Sequence, residues 1–182
     1  VEISQQIQYL LRMMKEKNVQ PLGAHYDILL QAYCNCTKLY NDYLPVMMEI
    51  FEETKFELGD YIAEDADYVI QAETLKTVID TVLTIDSDKS EDIFLFMLDM
   101  YSNNNLSFKR HGPEMLGNIL NGILLKYLQK DEIDSDHLNK AKCLLDRLLL
   151  VTKHFQHRPI STAIVYGTYL NIALKANVSP YL

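Results

Sequence analysis

Residues 14–26 read MKEKNVQPLGAHY, and this stretch gives the clearest indication of how the chain is organised. A segment with helical apolar spacing ends at Asn18, Pro21 follows, and a second such segment has Tyr26 in its first turn. Asparagine is a common stop at a helix C-terminus, and proline soon afterwards cannot continue the helix. The stretch therefore predicts a junction between two helical hairpins, which favours a helical repeat array over a compact enzyme.

Outward from this junction, apolar residues keep a helical spacing and no segment reads as a convincing strand. Pro45 lies in the first turns of the third helix, which is therefore expected to begin near Leu44. Ser87, Asp88 or Ser90 is the expected N-cap of the fifth helix. The acidic residues 56–67 are predicted to form a loop. The predicted helices cover residues 1–18, 24–36, 40–55, 68–85, 93–101, 113–130, 136–156 and 160–176.

The helix starts recur along the chain. Hairpins begin near residues 24, 68, 113 and 160, a spacing of about 45 residues, and Pro21, Pro113 and Pro159 precede or open three of them. Two-helix units with a period in this range are typical of α-solenoids. We predict a single all-α domain over residues 1–182, a right-handed α-solenoid (superhelix) of about four helix–turn–helix hairpins. The chain starts at Val1 rather than Met, so a fragment or processed form of a larger protein is expected.

Composition narrows the possible functions. The net charge is −8, whereas a DNA-binding protein usually carries a basic surface, so DNA is not an expected partner. Three cysteines, an odd number, favour a reducing compartment over a disulfide framework. No apolar run approaches the roughly 20 residues that a membrane-spanning helix needs. No cofactor is expected, because the chain has neither a Gly-rich phosphate loop nor a G-x-S-x-G turn.

Each candidate catalytic or metal-binding group in the sequence has a simpler structural explanation. Cys34 and Cys36 point about 200° apart on a helix, so they are expected to be packing residues rather than ligands of one metal. His154 and His157 could share a ligand, but surface histidines near a helix C-terminus are the expectation. The acidic cluster at residues 60–67 could supply a carboxylate pair, but a solvated loop is expected instead. We therefore predict that the protein is not an enzyme.

Basic and aromatic residues suggest where a ligand could bind. Lys109 and Arg110 precede one repeated helix, and Lys153 and Arg158 precede the next. In stacked units, these positions would lie along one edge and could form a basic stripe near RNA phosphates, although ordinary solubilising charge explains them as well. Tyrosine side chains could stack on bases. Four of them are instead expected to pack in the core: Tyr26, Tyr33, Tyr127 and Tyr166.

MKEKNVQP followed by AHYDILLQAYCN, residues 14–21 and 24–35, resembles the pentatricopeptide repeat. Met14, Val19, Pro21 and Tyr26 fit the family pattern, and Asn18 stands where glycine is usual. The resemblance is clearest over residues 5–58, and the remainder is similar only in its alternation of helices. Tetratricopeptide and HEAT repeats share much of the pattern, and HEAT units suit the longer period better.

The resemblance implies an RNA role in mitochondria: maturation, stability or translation of RNA. In that family, two side chains at each junction read one base, and Asp27 and Leu22 occupy those positions here. Asp27 accepts but cannot donate when ionised, and Leu22 does neither. The resemblance therefore implies little base readout. Contact with single-stranded RNA would depend mainly on four basic side chains: Lys109, Arg110, Lys153 and Arg158.

The alternative prediction is a protein of the same shape that binds a different ligand. An α-solenoid adaptor or assembly subunit would bind a protein through helical grooves and exposed aromatic residues, and its acidic surface would favour a basic partner. Such a protein would need no direct RNA contact, and it could function in the cytoplasm.

Overall fold

In a computed structural model, the described residues are 2–58, 69–103, 106–108, 112–153 and 160–178, and they are mostly helical. The all-α prediction is confirmed for this part of the chain. A short 3-10 helix at Asn41–Tyr43 precedes the third helix. The helices are α1 Glu2–Glu16, α2 Gly23–Leu39, α3 Leu44–Leu58, α4 Ala72–Leu83, α5 Ser87–Ser102, α6 Gly112–Leu128, α7 Ser135–Thr152 and α8 Ile160–Val178.

The helix boundaries follow from local chemistry. Asn18 ends the first helix in the left-handed conformation, with φ 55°, and the Val19 amide donates to the Met14 carbonyl at 2.8 Å. Asp86 caps α5 by accepting from the Asp88 amide, and Asp134 caps α7 by accepting from the His137 amide. The expected cap of α5 at residues 87, 88 or 90 was therefore wrong, because the carboxylate just before the helix fills that role.

Odd- and even-numbered helices form two layers. In the even layer, α2 contacts α4, α4 contacts α6, and α6 contacts α8. In the odd layer, Lys15 of α1 pairs with Glu57 of α3 at 2.8 Å, the rings of Phe51 in α3 and Phe96 in α5 lie 5.5 Å apart, and α5 contacts α7. Each hairpin, α2–α3, α4–α5 and α6–α7, joins the two layers. Contacts along the chain join α1 to α2, α2 to α3, and each helix from α4 to α7 to the next.

Hydrogen bonds within each layer join helices at a similar spacing along the chain. They join residues 42 to 48 positions apart, which is about one predicted repeat. In α6 and α8, Thr168 donates to Asn121 at 2.6 Å, and the Lys175 ammonium donates to the carbonyl oxygens of Leu128 and Lys130. Lys175 therefore satisfies carbonyls at the C-terminal end of the preceding even helix, which joins α8 to α6.

Two short strands were not predicted. β1 (Ile70–Gln71) lies before α4, β2 (Leu106–Ser107) lies before α6, and they pair in parallel with Ile70 opposite Leu106. Their pairing joins equivalent linkers of successive hairpins. Strands of two residues have no periodicity, so sequence pattern could not reveal them.

The core fills the space between the layers. Its largest fully buried side chains include Tyr26, Phe51, Phe94 and Tyr127. The predicted starts near 24, 68, 113 and 160 lie close to the observed starts of α2, α4, α6 and α8. The largest shift is in α5, which begins at Ser87 rather than at residue 93, because its first turn is polar and lacks apolar spacing.

Candidate binding surface

Asp27 was predicted to contact RNA, and the structure places it inside a junction between hairpins. It lies in the second turn of α2, and only 7% of its surface is exposed. Both carboxylate oxygens accept from the backbone amide of Gln71 in β1, at 3.1 Å. Removing a carboxylate that accepts from a partly buried amide is costly, so Asp27 helps to connect successive hairpins.

Leu22 is the other predicted base-reading position. It immediately precedes α2 and is half-buried. Its backbone amide donates to Nδ1 of His25 at 2.9 Å, and the His25 amide donates back to the Leu22 carbonyl at 3.0 Å. These two hydrogen bonds between Leu22 and His25 cap the first turn of α2. Leu22 contributes to them through its backbone and not through its side chain.

Lys153 is the described member of the predicted basic stripe. It follows α7 and is exposed. Lys109, Arg110 and Arg158 lie outside the described residues, as do His154 and His157. A continuous basic edge therefore stays a prediction.

The outer surface of the even helices is a candidate for binding. It combines exposed aliphatic side chains, such as Leu125 with 43% of its surface exposed, with amides and one ion pair between Lys76 and Asp80. Helical spacing places these residues on the side turned away from the odd layer. We call this the even-layer surface, and its residues are Ile28, Asn35, Lys76, Asp80, Asn118, Leu125, Ile164, Asn171 and Leu174.

The outer side of the odd helices has a different character. It exposes acidic residues on two neighbouring helices, Glu49 and Glu52 on α3 and Asp92 and Asp99 on α5, with Arg147 of α7 paired to Asp99. The odd layer therefore carries a concentrated part of the net negative charge, and it is unsuited to a polyanion. The even-layer surface has the lower charge density of the two.

Sequence reasoning missed a buried polar pair between α5 and α6. Glu91 accepts a hydrogen bond from the Tyr127 hydroxyl, and both residues are buried. Burial raises the pKa of the Glu91 carboxyl, and the hydrogen bond from Tyr127 opposes that rise. Burial, together with the Glu91 hydrogen bond and charge, raises the pKa of Tyr127. Glu91 lies just after the polar first turn of α5, where its sequence spacing gives no sign of burial.

A second polar group lies beside this pair. His137 Nδ1 lies 2.6 Å from the Asp134 carboxylate, and His137 Nε2 lies 3.0 Å from the Lys130 ammonium. The Lys130 ammonium also lies 5.5 Å from the centre of the Tyr127 ring. With Nδ1 donating to Asp134 and Nε2 accepting from Lys130, neither nitrogen is placed to act as a general base. The contacts among Lys130, His137 and Asp134 connect the end of α6 to the start of α7.

Cysteines and acidic residues form no metal site among the described residues. Cys34 is buried, Cys36 is half-buried and Cys143 is exposed, and all three are free thiols. Burial raises the pKa of Cys34 to about 11, which keeps this thiol protonated at neutral pH. The acidic cluster at residues 60–67 lies outside the described residues.

The tyrosine prediction was mostly right. Tyr26, Tyr33 and Tyr127 are buried in the core, with hydroxyls that reach Glu53, Gln8 and Glu91. Tyr166 was wrongly predicted to pack, because 41% of its surface is exposed on α8. This helix is apolar on nearly all sides, so its sequence gives little indication of which side faces the core.

Comparison with family models, with curated proteins and with solved structures finds no match for this chain. The described helices include none with the length and apolar character needed to cross a membrane. The site geometry is therefore the basis for a functional proposal.

Proposed function

We propose that this chain is a non-catalytic binding scaffold, a right-handed α-solenoid adaptor whose even-layer surface holds a protein partner. The observation that carries the proposal is the exposure of Ile28, Leu125 and Ile164 on three helices of one layer. Exposed aliphatic residues that share a face are typical of protein-binding surfaces, whereas single ones are ordinary. The even-layer surface has the lower charge density of the two layers, so a partner held there would be recognised mainly through these apolar side chains.

The stacking of the described helices supports an open array. Stacked two-helix units expose more surface than a closed bundle, because each unit covers only its neighbours. The contacts between consecutive helices of each layer agree with that arrangement.

The second candidate is a pentatricopeptide-like RNA role in mitochondria, which the likeness of residues 5–58 favours. Lys153 is exposed at the end of α7, as this candidate needs. Asp27 and Leu22, by contrast, have structural roles that leave little scope for reading a base. We therefore place RNA binding second.

The deciding experiment titrates labelled single-stranded RNA with the chain at about 50 mM salt. We expect no binding. Saturable binding that weakens steeply with salt, and that is lost in Lys153→Ala or Arg158→Ala, would establish the RNA candidate and remove the adaptor proposal.

Crosslinking of the chain within cells tests the adaptor proposal. Crosslinks to one protein should map to the even-layer surface, and Leu125→Glu should abolish them. Leu150→Glu is the matched control, because Leu150 is a similarly exposed leucine on α7 of the odd layer. Equal loss in both variants, or in neither, would contradict the assignment of the binding face.

A further inference from the structure

The contact between α5 and α6 joins the second hairpin, α4–α5, to the third, α6–α7. In this contact, the carboxyl group of Glu91 on α5 accepts a hydrogen bond from the Tyr127 hydroxyl on α6. Glu91 is only 9% exposed, and Tyr127 is fully buried. A change in the protonation of Glu91 therefore acts inside the interface between two hairpins.

This interface suits a neutral carboxyl group better than a carboxylate. An ionised carboxyl accepts at two oxygens, and within the described residues the Tyr127 hydroxyl is the one hydrogen-bond donor to Glu91. Water reaches little of the Glu91 side chain, because so small a part of it is exposed. Burying a charge with few donors is costly, so ionisation of Glu91 favours a conformation that exposes this carboxylate.

Two nearby lysines that could stabilise the carboxylate are already paired with other acids. The Lys130 ammonium lies 3.6 Å from the Asp88 carboxylate, and the Lys140 ammonium lies 3.3 Å from the Asp136 carboxylate. Asp88 also precedes Glu91 by three residues on α5, so it places a like charge about one turn away. The closed interface therefore has no uncommitted cation for Glu91 among these neighbours.

The other titratable groups around the interface are held by partners of their own or lie elsewhere. The His137 ring of α7 packs edge-on against the Tyr127 ring, with centres 5.7 Å apart, and its Nδ1 lies 2.6 Å from the Asp134 carboxylate. On α5 and the residue before it, the remaining charged groups near Glu91 are an ion pair and an exposed acid: Asp86 with Lys89, and Asp92. The charged residues of α4, which also packs on α5, lie in its first turn or on the even-layer surface: Glu73, Lys76 and Asp80.

We propose that the α5–α6 contact is a proton-controlled joint, closed while Glu91 holds its proton and opened locally when Glu91 ionises. The proton passes to solvent, and the carboxylate gains water, Lys130 or Lys140 as its partner. Burial raises the pKa of Glu91 above its ordinary 4.5, which is the direction that such a joint requires. The closed form is therefore most favoured below about pH 4.5 and loses its advantage as the pH rises through the folded pKa.

Other contacts hold the two hairpins together when the joint opens. α4 packs on α6, and near the far end of α5, Asp99 pairs with Arg147 of α7. Because these contacts do not involve Glu91, the opening is confined to the start of α5 and the end of α6. Neither Glu91 nor Tyr127 belongs to the even-layer surface, so the joint does not depend on the adaptor function.

The test is hydrogen exchange of the native chain and of Glu91→Gln from about pH 4.5 to about pH 7.5. The intrinsic exchange rates are the same in both proteins, so their ratio isolates the opening that Glu91 controls. Near Glu91 and Tyr127, the native chain should lose protection relative to the variant by up to about tenfold for each unit of pH. Amides of α2 should show the same protection in both proteins.

Two further variants complete the test. Asp92→Asn removes the exposed carboxylate next to Glu91 on α5 and should exchange like the native chain at every pH. Tyr127→Phe keeps the ring but removes the donor that favours the carboxylate, so the loss of protection should move to higher pH. It also supplies the comparison if circular dichroism shows that Glu91→Gln does not fold.

Three results would overturn the proposal. One is a loss of protection that follows pH equally in the native chain and in Glu91→Gln. Another is a loss spread evenly over all helices, because that would indicate global unfolding rather than a local joint. The third is a Tyr127→Phe profile identical to that of the native chain.

Discussion

At the scale of single residues, positions that resemble ligand contacts have structural roles. Asp27 follows Tyr26 where a base-reading side chain is expected, yet its carboxylate accepts from the Gln71 amide. The sequence could identify the junction but not this bond, because Gln71 lies 44 residues away and next to residues without helical spacing. A long-range bond to a backbone amide leaves no local pattern.

Replacing Asp27 with alanine tests this role. Asp27→Ala should lower the free energy of unfolding by about 1–3 kcal/mol, because it leaves the amide of Gln71 without this acceptor. Urea denaturation measures the change, and Asp92→Ala, which removes an exposed carboxylate from α5, should change stability by less than about 0.5 kcal/mol. An Asp27→Ala chain of unchanged stability would show that the bond contributes little.

Glu91 should make stability depend on pH. Its folded pKa is raised by burial above the ordinary 4.5, so the folded state holds this proton more tightly than the unfolded state. Stability from this group is therefore present below about pH 4.5 and is lost as pH rises through the folded pKa. Glu91→Gln keeps an acceptor for Tyr127 and cannot ionise.

Denaturation of the native chain and of Glu91→Gln across a pH series from 4.5 upwards compares the two directly. The native chain should lose stability relative to the variant as pH rises towards neutrality. Parallel pH profiles for the two proteins would mean that burial does not perturb this carboxyl.

At the scale of helices, the sequence predicted well wherever apolar spacing and caps agree. Asn18 was recognised as a stop and is one, while the start of α5 was placed too late because its first turn is polar. The strands β1 and β2 were missed because two residues have no period. The outer faces of the helices were not assigned, since which side is open depends on packing between hairpins.

Asn18 gives a prediction at this scale. Its φ of 55° suits glycine and disfavours a β-branched residue. Asn18→Val should destabilise the fold by about 1–2 kcal/mol, whereas Asn18→Gly should leave it unchanged or slightly more stable. Thermal unfolding measures both. Lys17→Val is the matched control at the preceding position, and an equal loss there would indicate a general effect of valine rather than of conformation.

At the scale of the whole molecule, repeated contacts about 45 residues apart support a stacked array. Lys15 with Glu57, Asp99 with Arg147, and Asn121 with Thr168 connect successive units in the same way. The period was readable from helix starts, whereas the partners across each junction were not. An array of this kind offers one long surface to a ligand.

Small-angle X-ray scattering, extrapolated to zero protein concentration so that association does not contribute, tests the array most directly. A compact domain of 182 residues has a radius of gyration of about 16 Å. We predict a clearly larger value and a distance distribution with a long tail, as stacked hairpins require. A radius near 16 Å with a symmetric distribution would contradict the array and, with it, the surface on which the proposed function depends.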